Sequence, residues 1–292
     1  MAPNTLFLEW LAGGLANAIT SGVLNPLDVA KTRMQTAAPL SGAAAPSLLG
    51  TLREMRAAGG LAGLFAPGLA ASALREMLYS GAKAGFYVPL RDAFVFRGGG
   101  GGGDGGAVAK VAAALCTGVL GSLLANPIDV VKIRLMRDPG AYRSTQSALP
   151  ELARAEGVAG LYRGLAPSTA RGACVSAGEL ATYDIAKGAL RGSGVAALSR
   201  DGAPLHVAAS LVAGAAAALV AAPFDLIKAR AMCATGEAGT MRGVLRGLAA
   251  EGGLPRSLFI GVLPAYMRLG PHALIAFPIF EQLRAVFGLS YL

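Results

Sequence analysis

Six stretches rich in apolar and small residues recur along the chain, with shorter polar segments between them. They cover residues 6–24, 69–94, 108–125, 165–190, 205–222 and 262–287. A helix of about 20 residues, rising about 1.5 Å per residue, crosses the hydrocarbon part of a bilayer. Together with the residues that follow it, each stretch reaches this length. The pattern predicts an all-α membrane protein with six transmembrane helices.

A charged motif follows every second stretch, so that it occurs three times. Its copies are PLDVAK at 26–31, PIDVVK at 127–132 and PFDLIK at 223–228. The spacing is close to one third of the chain, which predicts a protein built from three repeats of two helices. We place the repeats at 1–97, 107–194 and 195–292, with the glycine-rich segment 98–106 as a flexible linker.

The proline in this motif has two structural interpretations. Asn25 can cap a new helix that has Pro26 at its first position and Asp28 in its first turn. Alternatively the proline lies inside a longer helix, removes one backbone hydrogen bond and kinks it. Three copies that each continue an apolar stretch favour the second interpretation. The helices with Pro26, Pro127 and Pro223 are then expected to converge at one end.

The acid and the base of each motif would lie at membrane depth, where an unpaired ionisable side chain costs at least about 2.5 kcal/mol. In a threefold arrangement, a cyclic set of pairs can join the repeats. The pairs are Asp28 with Lys132, Asp129 with Lys228, and Asp225 with Lys31. Pairing within a helix at i,i+3 is the alternative, and it links no repeats.

One arginine also lies early in the second stretch of each repeat: Arg75, Arg171 and Arg268. Their near-threefold spacing predicts a common depth. Arginine keeps its charge, and its forked donors match carboxylates, so the set predicts an anion site. Internal salt bridges with Glu76 or Glu179 are the alternative.

Other polar residues share these helices with the arginines. Tyr79 and Lys83 follow Arg75 by one and two turns, and Lys83 adds positive charge. Glu179 follows Arg171 by eight residues and is a partner for Lys83 or a titrating group. His272 follows Arg268 by four residues, where it lines the cavity or packs beside Pro271.

Composition narrows the function. Hydrophobic residues make up 54% of the 292 residues and charged residues only 15%, which is typical of a membrane protein. The net charge of +9 suits anionic solutes or an acidic membrane surface, since no nucleic-acid-binding motif accompanies it. Three separated cysteines and two histidines predict neither a disulfide framework nor a metal site. We expect no cofactor, and no nucleophile–base set indicates an enzyme.

The threefold motif resembles the P-x-[DE]-x-x-[KR] signature of the mitochondrial carrier family, and the resemblance covers nearly the whole chain. It implies a monomeric barrel around a central cavity in the mitochondrial inner membrane, whose matrix side is closed by the ring of acids and lysines. Gln35 matches a glutamine that braces this ring. The substrate contact points of the family carry over to Arg75, to Arg171 with Gly172, and to Arg268. The N-terminus lacks signal and transit features, so we expect no cleavable presequence.

The family also has a second ring, [FY]-[DE]-x-x-[KR], which closes the cytosolic side. Its matches are Tyr87, Arg91, Tyr183, Asp184, Lys187, Phe280, Glu281 and Arg284. Val88 stands where an acid is expected, which leaves Asp184–Arg284 and Glu281–Arg91 as inter-repeat pairs. The alternative is that these are charged side chains at helix ends, which extend towards the membrane–water interface and form no ring.

The loop signature of the family, [DE]-G-x4-[FWY]-[KR]-G, is complete only at 156–164. The resemblance implies a membrane-lipid contact there, with cardiolipin. The stretches around the three arginines are similar to the branch that holds the oxoglutarate, dicarboxylate and uncoupling carriers. We therefore expect exchange of small organic anions, dicarboxylates or oxoacids, by alternating access. A proton or fatty-acid-anion leak of the uncoupling type is the alternative.

Overall fold

The computed structural model describes residues 3–37, 47–97, 104–192, 203–250 and 256–289. Within these residues the chain forms ten α-helices and two 3₁₀ turns, and no β-strand. The helices are α1 (Pro3–Val23), α2 (Asn25–Thr36), α3 (Leu48–Phe65), α4 (Leu69–Arg97), α5 (Asp104–Arg137), α6 (Thr145–Leu161), α7 (Leu165–Arg191), α8 (Ala203–Cys233), α9 (Met241–Ala250) and α10 (Val262–Val286). The 3₁₀ turns are Gly236–Gly239 and Arg256–Phe259.

The long helices form a closed ring. α4 packs against α5 and α7 against α8, while α1 contacts both α4 and α10. Contacts of α5 with α7 and of α8 with α10 complete the ring. Apolar side chains such as Ile185, Leu211 and Leu274 are exposed on the long helices, as expected of a surface that faces lipid. The predicted arrangement of six helices in three repeats is confirmed.

The first helix of each repeat converges on the other two at one end of the ring, where α2, α5 and α8 contact one another. α5 and α8 continue through Pro127 and Pro223 without interruption of the helix. In the first repeat the chain is briefly interrupted, since α1 ends at Val23 and α2 begins at Asn25. Pro127 and Pro223 therefore lie inside continuing helices, as the second interpretation predicts, whereas Pro26 lies in the first turn of α2.

In the first repeat the helix start predicted by the first interpretation is present, with Pro26 and Asp28 in the first turn of α2, but Asn25 does not cap it. The N-cap residue is Leu24, and no side chain caps the helix. The Asn25 amide instead donates to the carbonyl oxygens of Phe65 at 2.7 Å and Pro67 at 3.0 Å. Asn126 donates in the same way to the carbonyl oxygens of Leu161 and Arg163. These asparagines fix the turn before the second long helix of their repeat.

Short helices α3, α6 and α9 lie between the two long helices of each repeat. Ser47 and Ser144 begin α3 and α6 by accepting hydrogen bonds from the backbone three residues on. Each short helix buries an apolar face against the converging ends of the long helices. The buried residues on these faces are Leu48, Met55, Ala148, Leu152, Val244 and Leu248. The main hydrophobic core therefore surrounds the converging end of the ring.

The predicted linker spans residues 98–106, and α5 begins at Asp104, so the helix includes its last three residues. Residues 98–103 lie outside the described residues. By length and apolar composition alone, three described stretches qualify as membrane spans: Leu48–Ser80, Leu115–Arg137 and Leu205–Cys233.

Candidate substrate site and gates

Three lysine–aspartate contacts join the repeats at the converging end of the ring. They are Lys31 Nζ to Asp225 Oδ2 at 2.6 Å, Lys228 Nζ to Asp129 Oδ2 at 2.8 Å and Lys132 Nζ to Asp28 Oδ2 at 3.6 Å. The pairs that the threefold arrangement predicts are thus formed. We call these six residues the lysine–aspartate ring, and this end the matrix end, after the orientation that the resemblance implies.

Each aspartate of this ring also contacts one of the three arginines. Nε of Arg75 lies 3.0 Å from Asp129, Nη1 of Arg268 lies 3.1 Å from Asp28, and Nε of Arg171 lies 2.7 Å from Asp225. The Arg171 contact is an ion pair without hydrogen-bond alignment. Arg75 in addition donates to Glu76 at 2.7 Å, so the internal salt bridge proposed as the alternative forms in the first repeat.

The contacts give every ring aspartate one cation from each of the other two repeats. Asp129, in the second repeat, is bound by Lys228 of the third and Arg75 of the first. The same cyclic relation holds at Asp28 and Asp225. The aspartates are buried, where an unpaired charge would be strongly destabilising. They therefore hold the three repeats together at the matrix end.

The network carries more positive than negative charge. Three lysines and three arginines face three ring aspartates and Glu76, an excess of two positive charges. The side chains of Arg75, Arg171 and Arg268 remain 25%, 42% and 30% exposed, so an anion can reach them. The arrangement can bind an anion of charge −2 without leaving a net charge.

Other predicted contact residues surround the arginines. The Arg75 guanidinium lies over the Tyr79 ring at 4.9 Å from its centroid. Gly172 follows Arg171 and has open space where a side chain would begin, which leaves room beside that arginine. His272 is half-buried one turn after Arg268. The side chains of Lys83 and Glu179 lie outside the part of the chain that the structure describes. No group of metal-ligating side chains occurs among the described residues.

Gln35 occupies a different place from the brace that the resemblance implies. Its Nε2 donates to the carbonyl oxygen of Ile260 at 3.3 Å and makes no hydrogen bond to the lysine–aspartate ring within the described residues. One turn beyond Lys31, the side chain lies level with the start of α10 rather than with the ring. Gln35 therefore ties the first repeat to the third from below the ring.

Gln35 and its counterparts in the other repeats, Met136 and Met232, each pack against a glycine in the left-handed backbone conformation. These glycines directly precede the second long helix of each repeat. Gly68, Gly164 and Gly261 have φ values of 67°, 72° and 87°, which only glycine adopts without strain. A Cβ would come 3.0 Å from Met136 at Gly68, 2.9 Å from Met232 at Gly164, and 3.1 Å from Gln35 at Gly261. The helices of neighbouring repeats therefore approach too closely here for a side chain.

A further set of arginines, which the sequence reasoning missed, lies two residues after each ring lysine. Arg33 donates from Nε to the Met136 carbonyl oxygen at 3.1 Å, and Arg134 to that of Met232 at 2.8 Å. Arg230 completes the cycle with the Gln35 carbonyl oxygen at 3.2 Å. The recurrence of K-x-R in all three repeats was the signal that could have found them.

The complete loop signature of the second repeat forms an ion-pair cluster. Arg134 donates to both carboxylate oxygens of Glu156, at 2.6 and 3.0 Å, and Arg163 donates to the second of them and to the Ala234 carbonyl oxygen. Burial opposes ionisation of Glu156, but the hydrogen bonds and charges of the two arginines outweigh it and hold its pKa below the usual range. The cluster thereby links the second repeat to the third.

The opposite end of the ring lacks a comparable network among the described side chains. The predicted Glu281–Arg91 pair is not formed, because the Arg91 guanidinium binds the adjacent Asp92 at 2.7 Å. The Glu281 oxygens are buried without a hydrogen-bond partner. Among the described side chains, Arg91 and Glu281 therefore do not form the predicted pair.

Other predicted residues of this end make different contacts. Arg284 is buried over the Phe280 ring and lies 3.8 Å from Glu9. The Tyr183 hydroxyl shares a hydrogen bond of 2.6 Å with His206 Nδ1. Lys187 is half-buried on α7. The side chains of Tyr87, Val88 and Asp184 lie outside the described residues.

A ring of six helices with buried, threefold charge contacts at one end defines a multi-pass membrane transporter. The chain matches the family model for the mitochondrial carrier protein in three segments, residues 3–97, 104–194 and 199–290. It therefore belongs to the mitochondrial carrier family. Members of this family are transporters of the mitochondrial inner membrane, so the protein is a transporter and not an enzyme.

Named relatives come from two kinds of carrier. The mitochondrial citrate transporter F of Aspergillus niger is 32% identical over 95% of this chain and 89% of its own. The mitochondrial substrate carrier family protein ucpB of Dictyostelium discoideum is 29% identical over 98% of both chains. Mitochondrial uncoupling protein 2 of Arabidopsis thaliana is 32% identical over 90% of this chain and 88% of its own.

Proposed function

We propose that the protein exchanges small organic anions, dicarboxylates or oxoacids, across the inner membrane by alternating access. The observation that carries this proposal is the excess of two positive charges in the network, at three arginines that an anion can reach. A dicarboxylate of charge −2 balances that excess, and the forked guanidinium groups fit its two carboxylates. The citrate transporter among the relatives, whose name gives a carboxylate as its cargo, supports the same chemical class.

The proposed mechanism is an exchange of partners at the arginines. A substrate carboxylate that binds Arg75, Arg171 or Arg268 takes the place of a ring aspartate. Each arginine–aspartate contact joins two repeats, so its loss weakens closure of the matrix end. Substrate binding thus offsets the cost of opening, which is the differential interaction that a conformational change requires.

In the proposed cycle the two ends open in turn. The lysine–aspartate ring is the matrix gate, and helix motion about Pro26, Pro127 and Pro223 opens it. The cytosolic gate closes when α4, α7 and α10 converge and bring the charges of their far ends together. The contacts of Arg91 with Asp92 and of Arg284 with Glu9 belong to the state in which that end is open. We propose a monomer with a lipid contact, including cardiolipin, at the complete loop signature of the second repeat.

A proton or fatty-acid-anion leak is the second candidate. The relatives include uncoupling proteins, and the resemblance to that branch matches Glu179 to an acid of the uncoupling carriers. A carboxylate is a group that can take up and release a proton. This candidate requires no exchange of one anion for another.

The two candidates are separated by transport in liposomes that contain the purified protein. Vesicles are loaded with labelled malate, oxoglutarate or citrate, and release of label is measured with and without the same anions outside. Exchange predicts release that depends on the external anion, with proton conductance equal to that of empty vesicles. Fatty-acid-stimulated proton conductance without anion-dependent release would replace the first candidate by the second.

A further inference from the structure

The first and second repeats differ at one position that should hold a carboxylate. In the second repeat, both Nη atoms of Arg134 donate to Glu156. Arg33 is the counterpart of Arg134 in the first repeat, and its Nε makes the equivalent bond to a main-chain carbonyl oxygen. Gly59 stands in the place of Glu156, since each precedes a glycine of positive φ in the short helix, 59° at Gly60 and 66° at Gly157.

Arg33 therefore presents two donor groups with no acceptor among the described residues, since its Nε bond is its one polar contact there. It borders a cavity of about 390 Å³ between the first and second repeats. Arg143 from the loop before α6 is a second cation in the lining, and no acidic residue lines it. An arginine cannot lose its charge, so this enclosure has an unbalanced positive charge and an open guanidinium fork.

The cavity is separate from the substrate site. Arg33 follows Lys31 by two residues on α2, and residues two apart on a helix face nearly opposite sides. Lys31 points into the lysine–aspartate ring and Arg33 points away from it, towards the Gly59–Gly60 break of α3. An anion bound here would contact the first and second repeats from outside the ring.

We propose that this cavity binds a small carboxylate from the matrix, which occupies the place of the missing glutamate side chain and pairs with both Nη atoms of Arg33. Arg143 supplies the second positive charge. The bound carboxylate links the two repeats and stabilises the closed matrix end. Glu156 acts similarly in the second repeat, where it holds the two arginines that donate to the third repeat. It is a site of regulation by matrix carboxylates and not a step of transport.

The test is the thermal unfolding of the purified full-length carrier in detergent, with sodium acetate replacing sodium chloride at constant ionic strength. The unfolding temperature of the native protein should rise with acetate by about 2–4 °C and then saturate. Arg33→Gln should lose this saturating rise. Arg53→Gln removes an equal charge from an exposed position on α3 and should keep it. Acetate at the substrate arginines is common to all variants, so the difference reports the proposed cavity alone.

Gly59→Glu supplies the carboxylate covalently and tests the same site without removing Arg33. Gly59 has a φ of −149°, and a Cβ there meets no atom within 4 Å, so the longer side chain has room. This variant should unfold at a higher temperature without acetate and should lack the part of the acetate response that depends on Arg33. It remains informative even if Arg33→Gln does not fold.

An acetate response equal to that of the native protein in Arg33→Gln, or in Gly59→Glu, would overturn the proposal. A parallel series with cardiolipin micelles distinguishes the source of the anion. If cardiolipin alone stabilises the protein and Arg33→Gln removes that effect, the cavity binds lipid phosphate, and the carboxylate assignment is wrong.

Discussion

The guanidinium of Arg75 donates to the carboxylate of Asp129, Nε to Oδ1 at 3.0 Å, across the boundary between the first and second repeats. The contact joins a residue of the proposed substrate site directly to a residue of the proposed matrix gate. An anion that binds the arginine therefore competes with the gate for the same donor. The equivalent contacts of Arg171 and Arg268 extend this competition to all three repeats.

Arg171→Ala is expected to reduce anion uptake into liposomes by tenfold or more. The change removes a charged donor from a desolvated site, a loss of about 2–5 kcal/mol. Arg154→Ala, at an exposed position on α6, is the control and should transport normally. Near-normal uptake by both Arg171→Ala and Arg268→Ala would contradict the assignment of the site.

Asp225→Asn is expected to lower the unfolding temperature strongly. The aspartate is buried and holds Lys31 and Arg171, and breaking such a buried ion pair costs about 3–5 kcal/mol. Asp92→Asn breaks the exposed contact with Arg91 and should cost at most about 1 kcal/mol. The two variants are compared by thermal unfolding in the same detergent. Equal effects would show that Asp225 does not hold the repeats together.

Acid is expected to weaken the link between the second and third repeats through Glu156. Its pKa is lowered from the ordinary value of 4.5, so it stabilises the folded protein above that pH. The stabilisation is lost as the pH falls below 4.5 and through the lowered pKa, where the folded protein must take up the proton. Glu156→Gln should lower the unfolding temperature at neutral pH and bring it closer to that of the native protein in acid. A constant difference between the two proteins over that range would contradict this role.

Gly164→Ala is expected to destabilise the protein. A Cβ at this left-handed position costs about 1–2 kcal/mol from the backbone alone, and it would also lie 2.9 Å from Met232. Gly188→Ala, inside α7, is the control, because a Cβ there meets no atom within 4 Å. That substitution should leave the unfolding temperature unchanged or raise it slightly. The prediction fails if both variants unfold at the same temperature.

The lysine–aspartate pairs could be predicted from the sequence because buried charges must be paired and three equivalent repeats allow a cyclic pairing that satisfies all six. The contacts of the arginines with the same aspartates could not be predicted in this way. Whether Arg268 reaches Asp28 depends on the tilt of α10 against α2 and on the length of the side chain, and neither follows from spacing. The sequence likewise gave no reason to expect that Arg91 would pair with its neighbour Asp92 and not with Glu281 of the third repeat.

The role of Asn25 shows a different limit. Asn-Pro before an acid is a common helix start, and the local sequence fits that interpretation well. In the structure Leu24 takes the N-cap position, and the Asn25 amide donates to the Phe65 and Pro67 carbonyl oxygens instead. A preference that holds for isolated segments is thus overridden by a contact 40 residues away along the chain.

Because each ring aspartate takes one cation from each of the other two repeats, the repeats are not interchangeable modules. Consider a chimera that receives its second repeat from another carrier. The residue that replaces Asp129 must then pair with Lys228 and Arg75 of this chain. The residues that replace Lys132 and Arg171 must pair with Asp28 and Asp225. Compensation for a change in one repeat must arise in the other two. Although the chain resembles three copies of one unit, its three parts are therefore expected to change in concert during evolution and to resist recombination one at a time.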